Sequence, residues 1–195
     1  MGKLEANKQQ KLTSLLNTAF NLFTTQGVTK TSIAEISQKA GIAKGTFYLY
    51  FKDKYDIRNR LISHESSKLF KNAVADLEEF SIEKDEQIGF EEKIIFIINH
   101  IVDELNSNQT LLTFISKNLS WGIFKEALTT KVASDDINFK DVYYEMINAE
   151  DISLEEPEIM LFLIVELVSS TCYSAILYKE PADIDTIKPY LFKTV

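Results

Sequence analysis

The sequence is poor in residues that interrupt helices or cross-link a chain. It has three prolines in 195 residues, none before Pro157, and six glycines. So few breakers in a long chain favour helices over short strands joined by turns. The one cysteine, Cys172, has no partner for an internal disulfide. Because 45% of the residues are hydrophobic, a sizeable core is possible and disorder is not expected. We therefore predict an all-α fold.

The chain also lacks a segment typical of membrane targeting. Residues 1–10 are polar, whereas a signal peptide would be apolar here. The longest apolar run, 159–168, has ten residues, includes Glu166, and is too short for a membrane span. We expect a cytoplasmic protein with no membrane partner.

Residues that support catalysis or metal binding are scarce. The two histidines, His64 and His100, lie far from Cys172 in sequence, so no cluster of metal ligands is expected. Gly89 and Gly122 are isolated and form no glycine-rich phosphate loop. The sequence therefore predicts no catalytic site, no metal and no cofactor, and we expect that the protein is not an enzyme.

Charge is distributed unevenly along the chain. The net charge is −8, yet residues 1–60 hold ten Lys/Arg against four Asp/Glu, which is +6 and leaves −14 for the rest. A basic head on an acidic body is expected when one end meets phosphates. The alternative is a chance fluctuation on solvated surfaces.

The basic end shows the spacing of short helices. An apolar stripe predicts a first helix over roughly 8–26, ended by Gly27: Leu12, Leu15, Leu16, Ala19, Phe20 and Phe23. Ser32 and Glu35 form a capping box for a second helix that ends at Gly41. A third short helix follows from Thr46, and Asp53 can cap a fourth. Two short helices joined by a glycine-containing turn predict a helix-turn-helix.

The stretch 40–54, AGIAKGTFYLYFKDK, resembles the recognition region of the TetR/AcrR family of bacterial regulators. The preceding TSIAEI at 31–36 fits the same family, and the resemblance covers roughly residues 8–58. It implies a helix-turn-helix DNA-binding domain at 1–54 and a helical effector-binding and dimerisation domain at 55–195. The implied function is a ligand-responsive regulator, most often a repressor, that acts as a homodimer on a palindromic operator. Ala43 departs from the family, which often has serine there, and cannot cap the recognition helix.

Physical chemistry and the resemblance favour the same contacts with double-stranded DNA. Lys44 is placed to read base edges, and Gly45 permits close approach of the backbone. Hydroxyl groups in the recognition segment suit phosphate oxygens, and Leu49 suits a thymine methyl. Tyr48 could instead be half-buried packing, and Lys54 could be idle. The predicted DNA contacts are Ser32, Lys44, Gly45, Thr46, Tyr48, Leu49, Tyr50 and Lys54.

The rest of the chain is predicted to form helices. They span roughly 55–80, 91–105, 110–128, 139–148, 157–178 and 184–192. The resemblance implies that 157–178 and 184–192 pair with their copies in a homodimer. The second half of 157–178 is rich in small residues, which permit close helix packing. A monomeric core is the alternative.

An unidentified small-molecule effector is expected in the body. Aromatic and polar residues among apolar neighbours are its candidate contacts: Phe96, His100, Phe114, Trp121, Tyr143 and Tyr173. Each could equally be an ordinary core residue. Two other functions stay open at this point. The head could be vestigial on a carrier or enzyme body, or the regulator could respond to a protein partner.

Overall fold

The computed structural model describes residues 3–84, 88–118, 137–150 and 152–195, and every regular element in these ranges is an α-helix. The all-α prediction is therefore confirmed. The helices are α1 (Lys3–Gln26), α2 (Ile33–Lys39), α3 (Lys44–Phe47), α4 (Lys54–Lys84), α5 (Phe90–Ser107), α6 (Gln109–Asn118), α7 (Phe139–Ala149), α8 (Pro157–Leu177) and α9 (Ile184–Thr194).

The first three helices pack around an apolar centre. Helix α1 buries its predicted stripe, with Leu15 and Ala19 fully inaccessible to solvent. Gly27 and Gly41 have φ angles of 83° and 70°, so glycine supplies the left-handed backbone that ends α1 and α2. Helix α1 begins at Lys3 rather than near residue 8 as predicted. The polar start of the chain thus extends α1 beyond the packed part of the head.

A single long helix connects the head to the body. Helix α4 has 31 residues, about 45 Å at 1.5 Å per residue. Its first turns bury Ile57 and Leu61, while Ala73 and Leu77 are buried further along. It begins at Lys54, the last residue of the predicted head, and its first turns pack in the core of the head while the rest of the helix belongs to the body.

The body packs around α5 and α8. Helix α7 packs on α4, where the rings of Phe70 and Phe139 stack with centroids 3.9 Å apart. Helix α6 lies between the body and α1. The helix predicted at 110–128 corresponds in its first part to α6, and residues 119–136, including Gly122, lie outside the described ranges.

Helix α8 is longer than the apolar run 159–168 that it contains. Among the described helices it alone meets the length and composition expected of a membrane span, with 28% of its most apolar window buried. Leu161, Val168 and Cys172 face the core, whereas Ile159 and Leu163 are 55% and 59% exposed. A helix that is apolar on all sides is usually buried on all sides. Within a single chain, only one face of α8 is buried.

Candidate nucleic-acid interface and ligand cavity

Two buried rings fix the orientation of the recognition segment, which we define as residues 44–50. Phe47 and Phe51 are 0% and 1% exposed, and their ring centroids lie 5.5 Å apart. Because these rings are anchored in the head, the residues between them face outward. Tyr48 is 51% exposed and Leu49 is 82% exposed. These two side chains lie beside Lys44 and are accessible to a binding partner.

The glycine of this segment is not required by the fold. Gly45 does not have a positive φ, and a Cβ built on it meets no atom within 4 Å. Glycine in a helix is destabilising by about 0.5–1 kcal/mol relative to alanine. The open space in front of Gly45 therefore points to close approach by another molecule rather than to packing within the chain.

The recognition helix begins without a side-chain cap, as the alanine predicted. Ala43 accepts the backbone N–H of Thr46 at 2.8 Å, but its side chain makes no cap bond. Lys44, in the first turn, is exposed, and Thr46 is half-buried.

The start of α2 is capped as predicted. Ser32 is exposed and its hydroxyl accepts the backbone N–H of Glu35 at 3.1 Å. The pKa of Glu35 lies below its usual value, chiefly because Gln26 donates to its carboxylate at 2.9 Å and Lys39 adds a second bond. The backbone N–H of Ser32 contributes least. The capping box is thus supplemented by Gln26, which connects α2 to the end of α1.

The start of α4 is also held by local bonds. Asp53 accepts the backbone N–H groups of Tyr55 and Asp56 at 2.7 and 2.9 Å, which lowers its pKa. The predicted cap is confirmed. The ammonium of Lys54 donates to the carbonyls of Thr29 and Thr31 at 2.9 and 3.3 Å. These two bonds hold the loop between α1 and α2, a role for Lys54 that was not predicted from the sequence. The contact of Lys54 with phosphate stays a prediction.

Tyr50 connects the recognition segment to α1. Its hydroxyl donates to the backbone carbonyl of Lys8 at 3.4 Å, a weak bond, and the residue is half-buried. Of the predicted DNA contacts, the structure exposes Ser32, Lys44, Gly45, Tyr48 and Leu49 and half-buries Thr46, Tyr50 and Lys54.

Acidic groups near this surface are already engaged. Glu35 pairs with Lys39 at 3.2 Å, and Asp56 pairs with Arg60 at 2.9 Å. No ion pair involves Lys44 among the described residues. The surface around the recognition segment therefore presents uncompensated positive charge, which suits a polyanion.

The body contains an apolar cavity between α4, α5, α6, α7 and α8. It has about 760 Å³ of space not filled by protein atoms, part of it open to solvent. Ser66 and Ser169 are its only polar residues within the described ranges, and Ser169 donates to the Val165 carbonyl at 2.6 Å. The other lining residues are Leu69, Phe70, Ile94, Ile97, Ile98, Ile101, Leu105, Ile115, Phe139, Leu161, Ile164, Val165 and Val168. A cavity with this lining suits an uncharged, apolar ligand.

The predicted ligand contacts lie elsewhere. Phe96 stacks on Phe80, His100 lies 3.0 Å from the Asp76 carboxylate, and Tyr173 shares a hydroxyl contact with Tyr178. Tyr143 is fully buried, and burial raises its pKa to about 12. Phe114 packs against the head, and Trp121 lies outside the described residues. None of these five described residues lines the cavity, because each is packed or bonded on another side of its helix.

The residues that do line the cavity were not identifiable from the sequence. Ile94, Ile98, Ile101 and Leu105 fall on one face of α5 at the spacing of an ordinary core stripe. The one available signal was a hydroxyl in apolar surroundings at Ser169.

Phe114 joins the cavity region to the head. Its ring meets Phe20 edge-on with centroids 5.5 Å apart and lies parallel to Phe23 at 6.5 Å. The next residue, Ile115, lines the cavity. Adjacent residues of α6 therefore contact the cavity and α1.

Comparison with known proteins places these features in context. Residues 15–61 match the model of bacterial regulatory proteins of the tetR family. The chain is 40% identical over 55 residues to the HTH-type transcriptional regulator AcrR of Shigella flexneri, which is 28% of this chain and 26% of that one. The match thus spans about a quarter of that relative's length.

The likeness to solved structures extends over the whole chain. The transcriptional regulator FadR from Bacillus subtilis, in complex with stearoyl-CoA, has a TM-score of 0.63 at 18% identity and covers 93% of this chain and 95% of its own. FadR from Thermus thermophilus, a TetR-family repressor in complex with lauroyl-CoA, has a TM-score of 0.60 at 14% identity and coverages of 93% and 91%. At these identities the likeness establishes the fold.

Proposed function

We propose that this chain, whose residues 15–61 match the TetR family of bacterial regulatory proteins, is a ligand-responsive repressor that binds a palindromic operator as a homodimer. The observation that supports this most strongly is the recognition segment. Lys44, Tyr48 and Leu49 are exposed around a glycine that the fold does not need. This surface has the charge and the close access that a base-reading helix requires.

The homodimer is supported by the uncovered face of α8. Ile159, Leu163 and Ser170 are exposed along one side of the helix, and Tyr190 of α9 is 70% exposed. A second copy related by a two-fold axis would cover this face and place two recognition segments on two half-sites. This is the pairing of 157–178 and 184–192 expected from the resemblance.

The cavity supports a fatty acyl chain as the effector. About 100 Å³ of its space admits a water-sized molecule, which is below the range of about 300–1,000 Å³ typical of ligand sites, so an acyl chain must widen the cavity as it enters. None of the described residues that line the cavity is charged, which suits a ligand whose buried part is uncharged. Two solved structures with this fold hold stearoyl-CoA and lauroyl-CoA. We infer that an acyl chain lies between α5 and α8 while its polar head stays outside.

Helix α6 is the proposed route between the two sites. A ligand that displaces Ile115 moves a helix whose Phe114 ring contacts Phe20 and Phe23 of α1. Movement of α6 would tilt the head and change the separation of the two recognition segments in the dimer. The resulting change in DNA affinity equals the coupling free energy between the sites.

The operator is the first test of this function. Selection of purified protein on a random DNA library should enrich an inverted repeat, with an affinity that falls steeply with salt. The same selection with Lys44→Ala should give a less defined repeat, because each good base contact discriminates by about 1–3 kcal/mol. Absence of any enriched sequence would contradict the proposal and favour a vestigial head.

Gly45 offers a test that separates binding from folding. Gly45→Ala should leave the free energy of unfolding unchanged or raise it by up to about 1 kcal/mol. It should nevertheless weaken operator binding about tenfold, because the added methyl holds the backbone away from the groove. Chemical denaturation and fluorescence anisotropy measure the two effects. Gly89→Ala in the body, where a Cβ would meet its nearest atom at 4.0 Å, is the matched control. Equal operator affinity for both variants would refute the role of Gly45.

The acyl-chain proposal predicts a dependence on chain length. Lauroyl-CoA should bind and free CoA should not, and each methylene removed should weaken binding about fourfold, from about 0.8 kcal/mol per buried CH₂. Isothermal titration calorimetry measures this. Val165→Phe, which fills the cavity, should reduce the affinity, whereas Leu167→Phe on the same helix does not face it. Equal affinity for CoA and lauroyl-CoA would exclude this ligand class.

A further inference from the structure

The first three turns of α1 are not used by the proposed function. The family match begins at residue 15, whereas α1 begins at Lys3. The intervening segment, 3–14, is named here the N-terminal extension. It holds three lysines and one acidic residue, Glu5.

One lysine of this extension lies on the face of α1 that packs against the head. Leu12, Leu15 and Ala19 follow Lys8 at i+4, i+7 and i+11, which places all four on one face. Leu15 and Ala19 are fully buried, and Leu12 is partly buried against the core. Lys8 is exposed, because the core of the head extends along α1 only as far as Leu12, one turn C-terminal to Lys8. The packing face of α1 therefore continues past the head as a basic surface.

This basic surface borders the recognition segment. The Tyr50 hydroxyl donates to the Lys8 carbonyl, so the backbone of the extension lies against the last residue of that segment. Lys11 is one turn closer to the head and is also exposed.

The charges of these lysines are not neutralised by the protein. Lys8 and Lys11 form no ion pair in the described part of the chain, whereas Lys39 and Arg60 pair with acids of their own helices. The fold gives neither Lys8 nor Lys11 a stabilising partner. Both are therefore available to a negatively charged partner that reaches the edge of the recognition segment.

We propose that Lys8 and Lys11 bind the phosphodiester backbone of duplex DNA just outside the bases read by residues 44–50. The proposal rests on the function above, because it takes the recognition segment to lie in the major groove. The extension then contacts phosphates that flank each half-site and lengthens the bound duplex without reading its sequence. A dimer presents four such lysines.

The test compares two duplexes and two variants. One duplex ends at the outer bases of the selected inverted repeat, and the other has five further base pairs on each side. Lys8→Gln/Lys11→Gln should bind the longer duplex with a slope of log Kd against log salt reduced by about 2 to 4, since each phosphate contact contributes about 0.9. Its affinity for the shorter duplex should change little. Lys84→Gln/Lys140→Gln removes the same charge from the body and should leave the slope unchanged; Lys84 ends α4, about 45 Å from Lys54.

The outcomes separate this proposal from the function on which it rests. If the unmodified protein binds the repeat and the Lys8/Lys11 variant keeps the unmodified protein's slope on the longer duplex, the flanking contact alone is refuted. If both lysine pairs reduce the slope equally, the effect is general charge and the proposal is again overturned. If the unmodified protein binds no duplex in a salt-dependent manner, the DNA-binding function and the flanking contact fail together.

Discussion

The proposed coupling between the cavity and the head depends on the contact between three phenylalanine rings. Phe114 of α6 packs against Phe20 and Phe23 of α1, while the residue next to it in sequence lines the apolar cavity. Aromatic pairs of this geometry contribute about 0.5–1.5 kcal/mol beyond the area they bury. This is enough to make α6 and the head move together, and small enough that a bound ligand can shift the equilibrium. Without this contact, the body that holds the cavity and the head that holds the recognition segment would be joined mainly by α4.

The charge of the head, the apolar interior of the body and the two apolar faces of α8 each suit a different binding partner. The head is basic, and three of its four acids, Glu35, Asp53 and Asp56, are engaged in caps and ion pairs. Lys8, Lys11 and Lys44 form no ion pair among the described residues and are available for phosphates. The body is acidic outside and apolar within, which suits a ligand whose buried part is uncharged. Helix α8 is apolar on both sides: one side lines the cavity, and the other is uncovered in a single chain. The same helix would thus connect ligand binding to the dimer interface.

Local signals in the sequence were sufficient to predict the head. Left-handed glycines at 27 and 41, the Ser32 cap and the Asp53 cap each depend on neighbours a few residues away, and the structure shows all of them. The cavity depends on which faces of distant helices meet, and no local pattern records this. The aromatic residues predicted to bind the ligand do not line this cavity: Phe114 packs against α1, and Tyr143 is fully buried. Likewise, the bonds of Lys54 to the α1–α2 loop join residues more than twenty positions apart.

The central claim is that the cavity and the DNA-binding surface are coupled through α6. Its most direct test is the Kd for the selected operator with and without saturating lauroyl-CoA, in the unmodified protein and in Phe114→Leu. We expect the ligand to weaken operator binding by about 5- to 150-fold, the range of a coupling free energy of 1–3 kcal/mol. We expect Phe114→Leu to retain both binding activities and lose most of this difference. An unmodified protein that binds lauroyl-CoA and the operator independently, with the same Kd in both conditions, would contradict the account.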